Sequence, residues 1–540
     1  MTGFLLHPRD EVRTGGRLGP GTPMSLLAPP ESAEQLSAQL AVAGFPVAAV
    51  TIEAAVQPLA EEEYCLDIDA ESATVRVAHG RLGWRHLRRT LAVLLAEPAG
   101  LAATVIRDRP AVPVRGVIEG YYGAPWSHQR RLRQLEAIAD LGMNAYFLSP
   151  KDDPYLRERW REPYPEDRMG RLGELVEHAR QQDVELIFGV SPGLDIVASN
   201  PADITALIAK LRAGYEVGVR TFVVPFDDID PDAQHGTDLE AFGDDIDPAA
   251  AAQAHVLNSV RDAVSSWPGC APVQLVPTDY FQAGENDYRA RLRDLLHPQV
   301  QVHWTGVGIC APTVTAADLR AARERYGHEI VLWDNYPVND YLARSLVLGP
   351  YLGREPAAAA ELPAIFANAM PEALASHIGF ATVAAWGWNP HAAGPEQTWR
   401  SAVLHVGREN AEALQVLAEL CYGSPMAGRQ APILEPLRRL VDAVAGADEA
   451  ETRRAAPVVA ALGRRLAWSA DTLTGGSTAE LAEEIAGWID AMATAADSLD
   501  RAARSALAGS PFGFDPTTRR HEVAVGVLAP LLAELARHRP

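Results

Sequence analysis

Lysine is almost missing from this chain. Only Lys151 and Lys210 occur in 540 residues, and arginine fills the other basic positions. Positive charge as a whole is short, with 48 Lys+Arg against 70 Asp+Glu and a formal net charge of −22. That balance excludes nucleic acid or an anionic membrane surface as the main partner. Cysteine is scarce too: Cys65, Cys270, Cys310 and Cys421 are scattered without metal-ligand or redox spacing, which excludes a disulfide scaffold and a thiolate metal site. Free thiols fit a reducing compartment, so a cytoplasmic location is expected. No apolar run approaches a membrane span. The opening MTGFLLHPRDEVRTGG has no basic start, apolar core or cleavage site, so no secretory leader is expected. What is present is ordinary for a soluble globular protein, 48% hydrophobic and 22% charged residues, at a length that predicts two to four domains.

Residues 1–110 read as a small α/β domain. A Gly/Pro-rich stretch, RTGGRLGPGTP, precedes a strand at PVAAVTI. YCLDID and ATVRVA follow as strands around the turn AESA, and a helix over 83–97 places Trp84, Leu87, Leu91 and Leu94 on one face. Pro110 and Pro113 mark a linker. From 111 to 390 the pattern becomes strand, loop, helix, repeated. The strands are VRGVIEG, NAYFLSP, VELIFGV, RTFVVPF, PVQLVPT, QVHWTG, EIVLWDN and ELPAIFANA. Among the helices between them are SHQRRLRQLEAIADLG, with Ser127 as its cap and Leu132, Leu135 and Ile138 facing inward, and TAADLRAARERYG. Eight such units predict an α/β fold of the (β/α)8 TIM-barrel type. The competing doubly wound sheet would bring a glycine-rich first turn, which is lacking. Residues 391–540 have helical period over 398–422, 430–446, 451–472 and 477–507, predicting a helical bundle domain suited to packing or to a homodimer.

A barrel places chemistry just past the C-terminal ends of its strands. The stretch TFVVPFDDID (221–230) ends a buried strand with adjacent carboxylates, Asp227 and Asp228. Within a strand, neighbours point to opposite faces, whereas past Pro225 both can reach one pocket, and close carboxylates suit acid/base work. Asp227, Asp228, Asp230 and Asp232 also fit solvated turn residues. A calcium loop fails at position six, Ala233, and position twelve, Leu239. Gly189-Val190-Ser191-Pro192-Gly193 matches a nucleophile elbow in form only. The residue after the serine must donate its N–H to the oxyanion, and Pro192 has none.

The barrel resembles glycoside hydrolase family 84, the β-N-acetylglucosaminidases that include protein O-GlcNAcases. The resemblance rests on RGVIEGYYGAPW, NAYFLSPKDD, FDDID, VPTDY, HWTG and WDNYPVNDYLARSLVLGPYLGR, in order over roughly 115–390. The first unit is similar to the small α/β domain of bacterial members; the acetyltransferase-like extension of animal relatives is expected to be lacking. The resemblance implies a retaining, substrate-assisted hydrolysis in which the 2-acetamido oxygen attacks the anomeric carbon and forms an oxazoline. Asp227 would accept the acetamido N–H, and Asp228 would serve as general acid and then general base. The Gly120 carbonyl, Lys151, Asp340 and Asn368 would hold sugar hydroxyls. Tyr280 and Asn335 would face the acetamido group, Trp333 would be an apolar wall, and Tyr122 would line the pocket. No metal or organic cofactor is implied, and the expected partner is a GlcNAc-containing glycoside. The charged loop DDPYLRERWREPYPEDR after Lys151 borders the cleft and bears on the aglycone. A non-catalytic sugar-binding protein, an N-acetylgalactosaminidase and a hyaluronidase-like hydrolase remain alternatives.

Overall fold

The computed structural model describes residues 10–18, 24–27, 47–51, 62–69, 73–77, 85–87, 90, 101–230, 236–342, 345–514 and 520–538. Six strands precede the barrel: β1 (Asp10–Leu18), β2 (Met24–Leu27), β3 (Val47–Thr51), β4 (Tyr64–Ile68), β5 (Ala73–Val77) and β6 (Leu101–Asp108). They form one sheet in the order β1-β6-β4-β5-β2-β3. The sequence reading found β3, β4 and β5. Part of β1 falls in the Gly/Pro-rich stretch, and β2 and β6 are strands beyond those expected. Of the helix expected over 83–97, residues 85–87 and 90 are described and helical; Trp84, Leu91 and Leu94 lie outside the described residues.

All eight barrel strands form where expected. They are β7 (Val114–Glu119), β8 (Ala145–Leu148), β9 (Glu185–Gly189), β10 (Thr221–Pro225), β11 (Gln274–Val276), β12 (Gln301–Trp304), β13 (Ile330–Asp334) and β14 (Ala364–Asn368). Each pairs in parallel with its sequence neighbours, and β14 closes on β7. These strands read as continuous apolar runs because both faces are covered. Ile118, Phe147, Ile187, Val223, Val331, Trp333 and Phe366 fill the barrel interior. Their neighbours Val117, Phe188, Val224, Leu332 and Ile365 face the surrounding helices. A side chain on Gly116 would meet the Phe366 ring at 2.4 Å, so this glycine makes room for an interior aromatic. His303 of HWTG lies in the same interior, fully buried and bonded to Gln274 at 2.8 Å. Burial pushes its pKa down to about 3, so it is neutral and belongs to the core.

The first helix after a barrel strand, His128–Asp140, is capped by Ser127, whose hydroxyl accepts the Arg130 N–H at 3.2 Å. Leu135 and Ile138 are buried as expected, and Leu132 is half-buried. The helix Ala316–Tyr326 starts with a Thr315/Asp318 capping box and ends on Gly327 at φ 70°. Beyond the barrel the long helices Glu449–Leu473 and Ala486–Ala508 pack on each other, with Glu435–Ala445 against the first. No helix among the described residues is long and apolar enough to cross a membrane.

Candidate active site

Pro225 ends β10, and the chain turns at once: Asp228 has φ 55°. That left-handed conformation is uncommon for residues other than glycine, although aspartate tolerates it. It lets two successive side chains, which a strand would send apart, reach one side of the barrel mouth. Their surroundings differ. The Asp227 carboxylate is nearly buried, and its Oδ2 is ion-paired with Lys151 Nζ. Its Oδ1 is also buried and has no hydrogen-bond partner in the protein. Asp228 is exposed and accepts from two phenols, Tyr122 at Oδ2 (2.8 Å) and Tyr280 at Oδ1 (2.9 Å). Burial first, and then the Asp228 charge among its neighbours, raises the pKa of both tyrosines. Both therefore keep the proton they donate.

The rest of the predicted set gathers around this pair. Lys151 Nζ lies 5.7 Å from the centre of the Trp333 ring, a cation–π contact at the floor of the site. The Trp333 indole N–H donates to Asn335 Oδ1 at 2.9 Å. Asn368 Nδ2 donates to the same oxygen at 2.9 Å, and Asn335 Nδ2 is tied to the Ile309 carbonyl at 2.7 Å. Asn368 Oδ1 is a second buried oxygen with no partner in the protein. Gly120 packs on Trp333, since a Cβ there would sit 2.9 Å from the indole. Asp340 Oδ2 accepts the Tyr122 backbone N–H at 2.8 Å, joining the loops that follow β13 and β7. All nine predicted residues thus share one region at the C-terminal strand ends, linked by direct contacts or through Tyr122.

Two further residues belong to the same region. Tyr122, predicted only as pocket lining, contacts Asp228 directly. Arg157, one of several arginines in the charged loop, donates to the Tyr122 hydroxyl at 3.0 Å. No spacing rule singles out one arginine in RERWR, because its partner lies 35 residues away on another loop. The Ser191 N–H is engaged by the Leu156 carbonyl at 2.8 Å. Among the described residues no cluster of His, Cys, Asp or Glu could hold a metal ion; Asp232 and Ala233 lie outside them.

A family model described as beta-N-acetylglucosaminidase matches residues 115–419, more than half of the 540-residue chain. The chain belongs to that family. It is glycoside hydrolase family 84, the one suggested by the sequence motifs. Protein O-GlcNAcase of Rattus norvegicus and of Mus musculus are each 31% identical over 278 residues, 50% of this chain and 29% of theirs. The chain spans under a third of the length of these curated relatives. A solved structure of a mutant O-GlcNAc hydrolase of Thermobaculum terrenum superposes with TM-score 0.72 at 27% identity, covering 79% of this chain and 95% of that one. CpGH84B superposes with TM-score 0.79 at 23% identity over 98% of this chain and 99% of its own, which supports the fold.

Proposed function

We propose that this protein is a retaining exo-β-N-acetylglucosaminidase that acts by substrate-assisted catalysis on terminal β-linked GlcNAc. The observation that carries the reading is the pair of buried, unpartnered acceptors, Asp227 Oδ1 and Asn368 Oδ1. A buried acceptor without a donor costs about 1–3 kcal/mol. An acetamido N–H and a sugar hydroxyl are donors of the kind these oxygens lack. In this scheme the acetamido oxygen bonds to the anomeric carbon while the glycosidic C–O bond breaks. Asp227, anchored by Lys151 through its other oxygen, accepts the acetamido N–H and balances the positive charge growing on that group. Asp228 gives its proton to the departing oxygen. Tyr280 turns from Asp228 to the acetamido oxygen, and a carboxylate that loses a donor is more readily protonated. Water then opens the oxazoline as Asp228 takes its proton, restoring the β configuration. The two aspartates thus divide the work because one is walled in beside a cation and the other stands at the mouth.

The test compares aryl β-N-acetylglucosaminide, its galacto epimer and the plain glucoside, with NMR of the first-formed anomer. Retention and a strict need for the 2-acetamido group are expected. An inverted product or equal turnover of the glucoside rules out the mechanism, equal turnover of the epimers rules out GlcNAc selectivity, and no turnover at all favours the sugar-binding alternative. The cytoplasmic assignment is supported by four free cysteines. A homodimer through the C-terminal helices is supported by exposed Val458, Trp468 and Leu507, and sedimentation tests it.

A further inference from the structure

The loop after Lys151 carries Arg157, Arg159 and Arg161, and the helix that follows it, Glu166–Gln181, carries Arg168. Three of them are spoken for: Arg159 pairs with Glu162, Arg161 with Asp195 and Asp203, and Arg168 with Asp153. Arg157 forms no ion pair among the described residues. Its guanidinium lies 5.3 Å from the centre of the Tyr122 ring, its Nη1 donates to the Tyr122 hydroxyl at 3.0 Å, and its Nη2 lies 3.5 Å from the Asp228 carbonyl oxygen. The same Tyr122 hydroxyl donates to the Asp228 carboxylate at 2.8 Å. Arg157 is therefore one residue removed from Asp228, the general acid of the mechanism proposed above, and so beside the place that mechanism gives the leaving group.

The local charges give this position a consequence. Lys151 is matched by Asp227. Among the described residues the carboxylate bridged to Arg157 through a hydrogen-bonded side chain is Asp228, which must carry a proton when it acts as the acid. In the reactive complex Arg157 is then a half-buried cation facing one further carboxylate, Asp227, which is already paired with Lys151, in a chain whose net charge of −22 otherwise repels anions. The exposed Tyr122 ring beside it offers a flat face to whatever the sugar is attached to. We propose that Arg157 and Tyr122 form an aglycone subsite selective for a leaving group bearing a carboxylate or phosphate, with Arg157 as its anion-binding residue. The inference rests on the glycosidase reading above and adds the substrate class at that same site. Guanidinium geometry suits such a group, because its N–H fork still has donors beyond the one engaged by Tyr122.

Two probes of closely matched leaving-group pKa isolate the effect: 3-(carboxymethyl)phenyl and 3-(carbamoylmethyl)phenyl β-N-acetylglucosaminide. The expected kcat/KM ratio of acidic to neutral probe is about fivefold, the size of an ion pair at a partly exposed site, and it falls towards one as salt is raised. Arg157→Gln brings the ratio to one at low salt, and Arg157→Lys restores most of it. A GlcNAc disaccharide with an acidic reducing-end sugar and a GlcNAc-serine peptide with a flanking aspartate, each against its uncharged form, then show which source of the anion is used. A wild-type ratio of one overturns the subsite. So does Arg157→Gln slowing both probes alike with the ratio intact and the pH profile moved, because Arg157 would then act on Asp228 through Tyr122. If wild type cleaves neither probe, the glycosidase reading fails and the subsite fails with it.

Discussion

At the residue scale the two aspartates should separate by leaving group. Among the described residues the Asp228 carboxylate is held by two phenols at the mouth, so its loss is felt most where the departing alcohol needs a proton. Asp228→Ala is expected to cleave an activated aryl glycoside far better than an alkyl one, with added azide speeding breakdown of the oxazoline. Asp227→Ala should slow both substrates by similar factors, since Asp227 serves the acetamido group. The measurement is kcat/KM against leaving-group pKa for wild type and both variants. A steeper slope for Asp227→Ala would mean that the roles are exchanged. Asp340 offers a second test. With one oxygen on the Tyr122 N–H at 2.8 Å, its other oxygen is the one available to a sugar hydroxyl. Asp340→Ala should weaken binding by about 1.5–3 kcal/mol with thermal stability little changed; unchanged KM and kcat in the folded variant would remove Asp340 from the pocket. Asp227, Asp228 and Asp340 are legible as strand-end residues, because β10 ends at Pro225 and β13 at Asp334, while their separate roles come from the family resemblance alone. Arg157 was not legible, because only the packing of two loops decides which arginine of RERWR meets Tyr122.

At the scale of elements, legibility followed burial. The strands β7 to β14 are runs with no competing helical period, and each is short enough to be bounded by polar residues. In contrast, β1 contains Gly15 and Gly16, pairs on one side only and has a register shift between Arg13 and Arg17. An edge strand of that kind has little apolar pattern to read. The segment Thr104-Val105-Ile106 of β6 carries a β-branched signal, but it is short and runs directly into the linker prolines. One buried interaction fixes the site end of β13: Arg354 donates to both Asp334 oxygens, at 2.9 and 2.5 Å, and the Tyr351 hydroxyl adds a third bond at 2.5 Å. Arg354 and Asp334 are 2% and 1% exposed, so removing one partner strands the other charge. Arg354→Met should destabilise by about 3–5 kcal/mol and loosen the loop leading from Trp333 and Asn335. Urea unfolding reads the first effect and KM the second. A loss under 1 kcal/mol would mean that water reaches the pair.

At the scale of the whole molecule, the barrel is tied to both flanking regions by buried polar groups. Towards the N-terminal sheet, Arg115 of β7 bonds Glu62 at 2.5 Å, and the Trp388 indole reaches both Asp108 oxygens at 3.0 Å. Towards the helical region, Glu484 Oε1 accepts the backbone N–H groups of Leu374 (2.7 Å) and Ala375 (3.0 Å), just after β14. Burial raises the Glu484 pKa from its ordinary 4.5 to about 7, against the pull of those two N–H groups and of Arg130 at 3.7 Å, with Glu372 adding to the rise. The sign follows from proton uptake. Between pH 4.5 and 7 the folded protein holds a proton here that the unfolded chain has released. This contribution to stability is complete below about pH 4.5 and is lost as the pH climbs to about 7. The cost of the buried charge above that point is on the order of 3 kcal/mol at most. Glu484→Gln keeps an oxygen for the two N–H groups and carries no charge to desolvate. The difference in melting temperature between Glu484→Gln and wild type should therefore shift in favour of the variant from pH 5 to pH 8, while groups common to both cancel. A difference that stays flat over that range, or moves the other way, would show that the carboxylate is stabilised by Arg130 and the helix start rather than strained by burial. The helical region would then dock on the barrel without the pH dependence expected here.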